Sequence, residues 1–468
     1  MEKAEFTPGT QRPGEVDLRP VRDEAATPEP LPPPRMAVVL AAGRSERLSE
    51  VTGGGSKALV RVGGLALVER AIRTALAAGV EGVVVVCGYH AGPVAAVATR
   101  AAPGRVKVVV AEDWEKGNGA SLVAAEPALV DEPSFLLLTA DHLFAEGALA
   151  QLAAGGAPAV LVDPAPDPAV VDEATKVTIG SRGEVVALGK QVVSPVVDCG
   201  AFLLGPDAFG AARASLAAGR GTLSEAVEEL ARRRRVVAVP LRTGIWWQDV
   251  DTPADLSRAR GLLRGSLRRS SDGPVSALLN RRVSIPISWA LAPLRPNPDL
   301  VSVLAFAVGI VAAALLGMGH GLAGGLLVQA CSVLDGVDGE VARLALRAGP
   351  RGTLLDGVLD RVSDAAIIGG LGLWAAGTAA PGVVIPLTVA ATAGALLSMS
   401  SKDRIAALGL APPSERRLGW LLGGRDGRLF LVFVLAVAGS PVAALAVTAA
   451  TSLLATGLRV AFARAYPP

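Results

Sequence analysis

Two kinds of hydrophobic pattern divide the chain. Between about residues 36 and 260, short apolar runs (MAVVLAA, GVVVVCG, VKVVVAE, FLLLTAD, AVLVD) alternate with amphipathic stretches such as ALVERAIRTALAAG. Runs this short and this uniformly apolar predict parallel strands covered on both faces, and the alternation predicts a layered α/β, Rossmann-like domain. Beyond residue 299 the pattern changes. Residues 300–334, 365–401 and 429–458 contain no Asp, Glu, Lys or Arg. A spanning helix needs about 20 apolar residues, so each stretch is too long for one span. Each is broken midway, at GMGHG, GTAAPG or GSP. Each therefore predicts two helices joined by a short turn, giving an all-α transmembrane domain of six helices. The last pair extends through Arg428 and Arg459, which can snorkel.

Four segments follow from these patterns. Residues 1–35 are rich in Pro and charge, cannot bury a core and carry no apolar run of a signal peptide; they are expected to be a disordered tail. Residues 36–262 form the α/β domain, 263–298 a juncture and 299–468 the membrane domain. Within the juncture, 275–294 mixes apolar residues with Arg281 and Arg282, and fits either an interfacial amphipathic helix or an ordinary connector. The mid-stretch turns carry no basic residue, whereas the opposite loops carry Arg343, Arg347, Arg351, Lys402, Arg404, Arg416, Arg417, Arg425 and Arg428. The positive-inside rule then puts the α/β domain in the cytoplasm beneath a multi-pass inner-membrane domain.

Composition narrows the function. Hydrophobic residues make up 51% of the 468 positions and charged residues 19%, below the roughly 25% charge of an average soluble protein. The net charge of +2 excludes a protein that coats nucleic acid. Cys87, Cys199 and Cys331 lie far apart with no CxxC pair, which excludes a disulfide scaffold and a thiolate zinc site.

The segment SVLDGVDGEVARLALRAGPRGTLLDGVLDRVSDA places Asp335, Asp338, Glu340, Asp356, Asp360 and Asp364 at the ends of two predicted spans. A carboxylate at mid-bilayer costs about 2.5–3.5 kcal/mol, so such residues need a reason to be there. Their spacing supplies one. Asp335 and Asp338 share a helix face; Gly352, Asp356 and Asp360 form a stripe on the next helix. A short loop makes the two helices antiparallel neighbours, so the carboxylates converge. Clustered carboxylates favour Mg²⁺, Mn²⁺ or Ca²⁺. Gly339 and Ala342 leave room at the backbone, and Arg343 offers a fork of donors for phosphate.

The pattern Asp335-x-x-Asp338-Gly339-x-x-Ala342-Arg343, then Gly352-x-x-x-Asp356-x-x-x-Asp360, resembles the signature of the CDP-alcohol phosphatidyltransferases at every defined position. The resemblance implies six transmembrane helices, a homodimer, and Mg²⁺- or Mn²⁺-dependent displacement of CMP from a CDP-activated alcohol. It implies that Asp335, Asp338 and Asp356 ligate metal. Asp360 is implied either as a further ligand or as the general base. Arg404, Arg416 and Arg417 are candidates for the acceptor phosphate, though topology and lipid-headgroup contact explain a basic loop equally well.

In the first domain, LAAGRSERL follows the first strand directly. Gly43 permits a tight turn whose N–H groups can cradle phosphates, and Arg47 and Lys57 supply charge for a triphosphate. The segment resembles the nucleotidyltransferase pattern LAAGxGxRL followed by PKAL, with Ser45 and Ser56 as departures. Asp141, in LLLTADH, ends an apolar strand, where α/β ligand sites gather. Asp249 and Asp251 lie in WWQDVDTPADL. The resemblance implies Asp141 and Asp249 as metal ligands with Asp251 as the alternative, although DTP also fits a helix N-cap. It further implies nucleotide recognition by Gly117, Asn118 and Gly119, and a contact from Lys190 to the acceptor phosphate. Asp198 follows in the same segment. His142 fits packing or support of the site.

The order of the two halves resembles the bifunctional enzymes of di-myo-inositol phosphate phosphate synthesis. These make CDP-inositol from CTP and inositol 1-phosphate, then transfer phosphoinositol to a second inositol 1-phosphate. Two rivals remain: a phospholipid synthase with a CDP-lipid donor, and a soluble half that has become a sensor or scaffold.

Overall fold

The computed structural model describes residues 30–44, 46–269, 271–409, 418, 420 and 422–465. Arg416 and Arg417 lie outside them, as do Ser45 and most of the expected tail.

The short apolar runs form a nine-stranded sheet. It contains β1 (Met36–Ala41), β2 (Gly82–Cys87), β3 (Val106–Val110), β4 (Phe135–Thr139), β6 (Ala159–Asp163), β7 (Lys176–Ile179), β8 (Val185–Gly189), β9 (Val197–Leu204) and β10 (Val237–Pro240). A separate pair is made by β5 (His142–Phe144) and β11 (Trp247–Asp249). The main path runs β8-β7-β9-β4-β1-β2-β3, with β6 on β9 and β10 on β6. Strands β4, β1, β2 and β3 are parallel, and β9 runs against β4. Both faces are buried, as uniformly apolar strands require: Val39, Val85 and Leu138 face one core and Val38, Val84 and Leu137 the other.

Helices α1 (Leu67–Ala77), α2 (Ala91–Ala101), α3 (Asn118–Ala125), α4 (Asp207–Ala217) and α5 (Leu223–Arg233) flank the sheet, and α6 (Pro253–Gly265) closes the domain. The expected tail boundary at residue 35 is corrected by a few residues. Leu31 exchanges backbone hydrogen bonds with Gly156, and Pro32 accepts one from Ser134, because Leu31 has an apolar seat at the sheet edge.

The juncture is packed rather than loose. A π-helical turn (Ser276–Asn280) leads into α7 (Arg281–Leu291). Its polarity is inverted relative to a soluble helix. Asn280, Arg281, Ser284 and Ser288 are buried, whereas Leu278, Val283 and Ile287 are exposed.

Six further helices follow among the described residues: α8 (Pro298–Gly317), α9 (Gly321–Leu344), α10 (Pro350–Ala376), α11 (Pro381–Ala407), α12 (Arg425–Val437) and α13 (Pro441–Ala465). The three predicted turns fall between α8 and α9, α10 and α11, and α12 and α13. Three helices, α8, α11 and α13, are long and apolar enough to cross a membrane. Helices α9 and α10 have the length, but their carboxylates make them less apolar, and α12 is short at 13 residues.

The two domains share a joint. Leu67 and Leu263 of the first domain pack with Ile285, Ala292 and Leu344 in one core. Arg70 donates to the carbonyl of Leu344 at 3.0 Å and Arg73 to that of Ala345 at 2.6 Å. These are the carbonyls left open at the end of α9, so the first domain supplies their donors. Glu69 pairs with Arg73 (2.8 Å) on its own helix and with Arg295 (2.6 Å) across the joint.

Candidate active sites

The first site follows from strand register. Parallel pairing sets Leu40 of β1 opposite Thr139 of β4, so Gly43 and Asp141 leave the same carboxyl edge of the sheet. Antiparallel pairing of β5 with β11 sets Asp249 opposite His142. Asp141, His142 and Asp249 thereby bring ligand atoms within 4.8 Å of one another. Asp249 Oδ1 is buried and has no hydrogen-bond partner among the described residues, an acceptor placed for a cation. The two carboxylates fit a hard divalent metal, with His142 beside them on Asp141.

Asp251 is placed differently. The N-cap of α6 is Thr252, in a capping box with Asp255. That leaves Asp251, one residue outside, to pair with Lys57 and, at 2.5 Å, with Arg47. Lys57 also meets Asp141 at 2.6 Å, and Arg47 pairs with Glu173. Ser56, where the resemblance has proline, caps the turn carrying Lys57 by accepting from the Ala58 N–H. Asn118, Lys190 and Asp198 line the same cleft, of about 890 Å³. Gly117 and Gly119 sit behind it, against the Gly221 strap. A Cβ on Gly117 would lie 2.4 Å from the Gly221 carbonyl, so Gly117 permits this close approach at a φ of +105°.

His142 does more than its sequence context indicates. Its Nδ1 lies 2.8 Å from Asp141, and its ring stacks on Trp247 at 5.6 Å. Gly200 makes room beneath the ring: a Cβ there would come within 2.7 Å of it.

Charge reinforces this geometry. Burial works against Lys57's charge, but Asp141, Asp249 and Asp251 outweigh it and raise its pKa. Burial likewise opposes the His142 cation, yet Asp249 and Asp141 lift it to about 9. Burial pushes Asp249 up to about 6, reinforced by Asp141 and partly offset by His142. Burial also pushes Asp198 up to about 6. A proton therefore competes for Asp249 once the pH falls below about 6, while above it the carboxylate is free to ligate. The Mg²⁺ concentration giving half-maximal pyrophosphate release should rise by roughly tenfold per pH unit below 6. Comparing Mg²⁺ titrations at pH 7.5 and 5.5 checks this, and superimposable curves contradict it.

The second site joins α9 and α10. Asp335, Asp338 and Asp356 bring carboxylate oxygens within 4.8 Å of one another. Asp338 is buried and accepts a 2.5 Å hydrogen bond from Ser302. Three converging carboxylates, Asp338 buried and Asp335 and Asp356 half-buried, offer oxygen donors alone and fit a hard divalent cation. Asp360 lies beside Asp335 and is held at 2.9 Å by Arg425. Arg425 also reaches Asp335 (2.7 Å) and Asp364 (3.1 Å), and Arg428 pairs with Asp364 at 2.7 Å. Gly339 lies beside the Arg343 guanidinium. Ala342 and Gly352 are half-buried on α9 and α10. Arg404 is exposed on α11.

Sequence reasoning passed over Arg425 as one of several loop arginines; it is the cation that ties three of the carboxylates together. The available signal was its position at the mouth of a charge-free span, facing acids that need a counter-charge. Glu340 was likewise unassigned. It is fully buried and takes Arg281, Ser284 and Ser288 of α7, each at 2.6 Å.

Two family models match the chain: a MobA-like NTP transferase domain over residues 37–197 and a CDP-alcohol phosphatidyltransferase over residues 296–412. Fold, sites and matches define a two-domain transferase in which a nucleotidyltransferase is joined to a membrane-associated CDP-alcohol phosphatidyltransferase. Relatives resemble it along nearly its whole length. A bifunctional IPC transferase and DIPP synthase of Rubrobacter xylanophilus is 39% identical over 88% of this chain and 93% of its own. Proteins described in the same words from Thermococcus kodakarensis (32% identical; 92% of this chain, 96% of that one) and Aquifex aeolicus (31%; 86% and 92%) agree. The chain belongs to this family of bifunctional IPC transferases and DIPP synthases.

Proposed function

We propose that the chain makes CDP-inositol from CTP and inositol 1-phosphate, then transfers phosphoinositol to a second inositol 1-phosphate, releasing CMP and forming di-myo-inositol phosphate phosphate. One observation carries this reading: two acidic clusters, each fit for a divalent cation, stand on the two domains of a chain matched nearly end to end by bifunctional relatives.

In the first reaction a phosphate oxygen of inositol 1-phosphate attacks the α-phosphorus of CTP, and pyrophosphate leaves. Lys57 and Arg47 lie where the triphosphate enters behind Gly43, and must exchange Asp141, Asp251 and Glu173 for phosphate oxygens. Asn118 faces the nucleotide and Lys190 the acceptor phosphate. Asp141 and Asp249 hold Mg²⁺ or Mn²⁺, with His142 and Asp251 fixing their orientation and charge.

In the second reaction the acceptor hydroxyl attacks the β-phosphorus of CDP-inositol and CMP leaves. Asp335, Asp338 and Asp356 hold the cation, whose charge, when bound, offsets that of the phosphates. Arg343 donates to the diphosphate, and Gly339, Ala342 and Gly352 leave space for the nucleotide. Asp360 accepts the proton of the attacking hydroxyl, with Arg425 holding that carboxylate in place at 2.9 Å. Arg404, with Arg416 and Arg417, serves the acceptor phosphate.

The six helices α8–α13 all cross the inner membrane, the carboxylates of α9 and α10 being tolerated because they are paired or share a cation. The exposed apolar side of α7 lies on the lipid, the first domain is cytoplasmic, and the chain works as a homodimer.

Mass spectrometry of products from CTP and inositol 1-phosphate with Mg²⁺ tests the reading. CDP-inositol should appear first and decline as the twice-phosphorylated product and CMP accumulate. Supplying CDP-diacylglycerol instead should give no product; phosphatidylinositol phosphate from that arm, with none from CDP-inositol, would replace this reading by a lipid synthase.

A further inference from the structure

The loop between the two domains lies over the membrane-domain site. It is fastened there by a run of contacts. The Leu267 carbonyl accepts from Arg343 Nη2 at 3.2 Å. Asp272 accepts the Arg269 N–H at 2.9 Å and pairs with Arg281, which in turn pairs with buried Glu340 on α9. Leu267, Arg269 and Asp272 are thereby tied to the helix turn that bears Asp338 and Arg343. In this frame Arg269 is exposed, and its charge reaches both Asp356 and Arg343. Its guanidinium has no hydrogen-bond or ion-pair partner among the described residues, and the neighbouring Arg343 Nε is buried without one.

Two adjacent guanidinium groups with unspent donors, beside a carboxylate assigned to a cation, make an arrangement short of an anion. Asp272 and Glu340 also act on Arg343, but both are engaged by Arg281, so the two guanidinium groups still repel and favour a further anion between them. A phosphate of a nucleoside diphosphate meets that need: one face toward the carboxylate-bound cation, the other toward two planar donor forks.

We infer that Arg269, contributed by the interdomain loop, is a substrate-binding residue of the phosphotransferase site and contacts the diphosphate of the CDP-alcohol together with Arg343. The inference rests on the proposed function. It adds that this pocket is completed by a residue immediately after the last helix of the nucleotidyltransferase domain. The intermediate is thus received by a loop that belongs to its producer as much as to its consumer.

The test uses the full chain in lipid vesicles, with CDP-inositol and inositol 1-phosphate supplied directly. Arg269→Ala should raise KM for CDP-inositol by about tenfold or more while leaving kcat within twofold. Arg269→Lys should recover part of the loss, because it restores charge without the fork. Pyrophosphate release from CTP and inositol 1-phosphate should be unchanged, which shows that the fold is intact. Calorimetric titration with CMP, binding the wild type and about tenfold more weakly the alanine variant, gives the same answer without turnover. If the wild type turns over and Arg269→Ala matches its KM and its CMP affinity within twofold, this inference is overturned and the proposed function stands. If the wild type neither turns over CDP-inositol nor binds CMP, both fall.

Discussion

Asp338→Asn should lower phosphotransfer from CDP-inositol by about a thousandfold, the scale on which loss of an essential electrostatic group in a buried site is felt. Asn keeps the shape of Asp338 and its contact with Ser302, but it removes one of the three anionic oxygen donors that converge there. Nucleotidyl transfer occurs in a separate cleft and should proceed at the wild-type rate, so CDP-inositol accumulates and stays. The variant should be at least as resistant to heat as the wild type, because removing one of three clustered like charges relieves repulsion whenever no cation is bound. Product analysis by mass spectrometry and a thermal melt without added metal read both effects. A variant that still transfers at a tenth of the wild-type rate would remove Asp338 from the cation site.

Which parts of this were legible in the sequence depends on the range of the interaction. The sheet strands, the turns at GMGHG, GTAAPG and GSP, and the convergence of Asp335 and Asp338 with Asp356 all depend on spacing of two to four residues, or on a short loop that forces two helices side by side. What escaped was long-range. Arg425 meets Asp335, Asp360 and Asp364 only because α12 packs against the carboxylate-bearing helices, and no local pattern states that. Glu340 looked like one more acid in a motif until α7 brought Arg281, Ser284 and Ser288 onto it. The inverted polarity of α7 follows from the same fact. Arg281, Ser284 and Ser288 turn inward to satisfy a buried carboxylate, so Val283 and Ile287 are left outside while Ile285 packs in the joint. Among the expected spans, α9 and α10 fall short on composition because they carry the chemistry. The contacts of Arg70 and Arg73 across the joint were unreadable because their acceptors are backbone carbonyls, which have no sequence signature.

Loss of Lys57 should have the mirror-image effect. Lys57 is mostly buried between Asp141 and Asp251, so Lys57→Ala removes the cation meant for the triphosphate and leaves two carboxylates facing each other without it. Pyrophosphate release from CTP and inositol 1-phosphate should fall by about 10² to 10³-fold, and excess Mg²⁺ should not restore it, since the lost group is a fixed donor. Phosphotransfer from supplied CDP-inositol should remain within about twofold, because the pairs Lys57 makes with Asp141 and Asp251 lie in the nucleotidyltransferase cleft. Vesicles carrying Lys57→Ala, mixed with vesicles carrying Asp338→Asn, then contain one working copy of each half. The final product should reappear, but with a lag and at a rate that rises with the total amount of protein. The wild type should show neither feature, because one chain tethers producer and consumer. Equal rates for the mixture and the wild type at high dilution would mean that the joint between the domains confers no such advantage. Absence of product from the mixture would mean that the intermediate passes only within one chain.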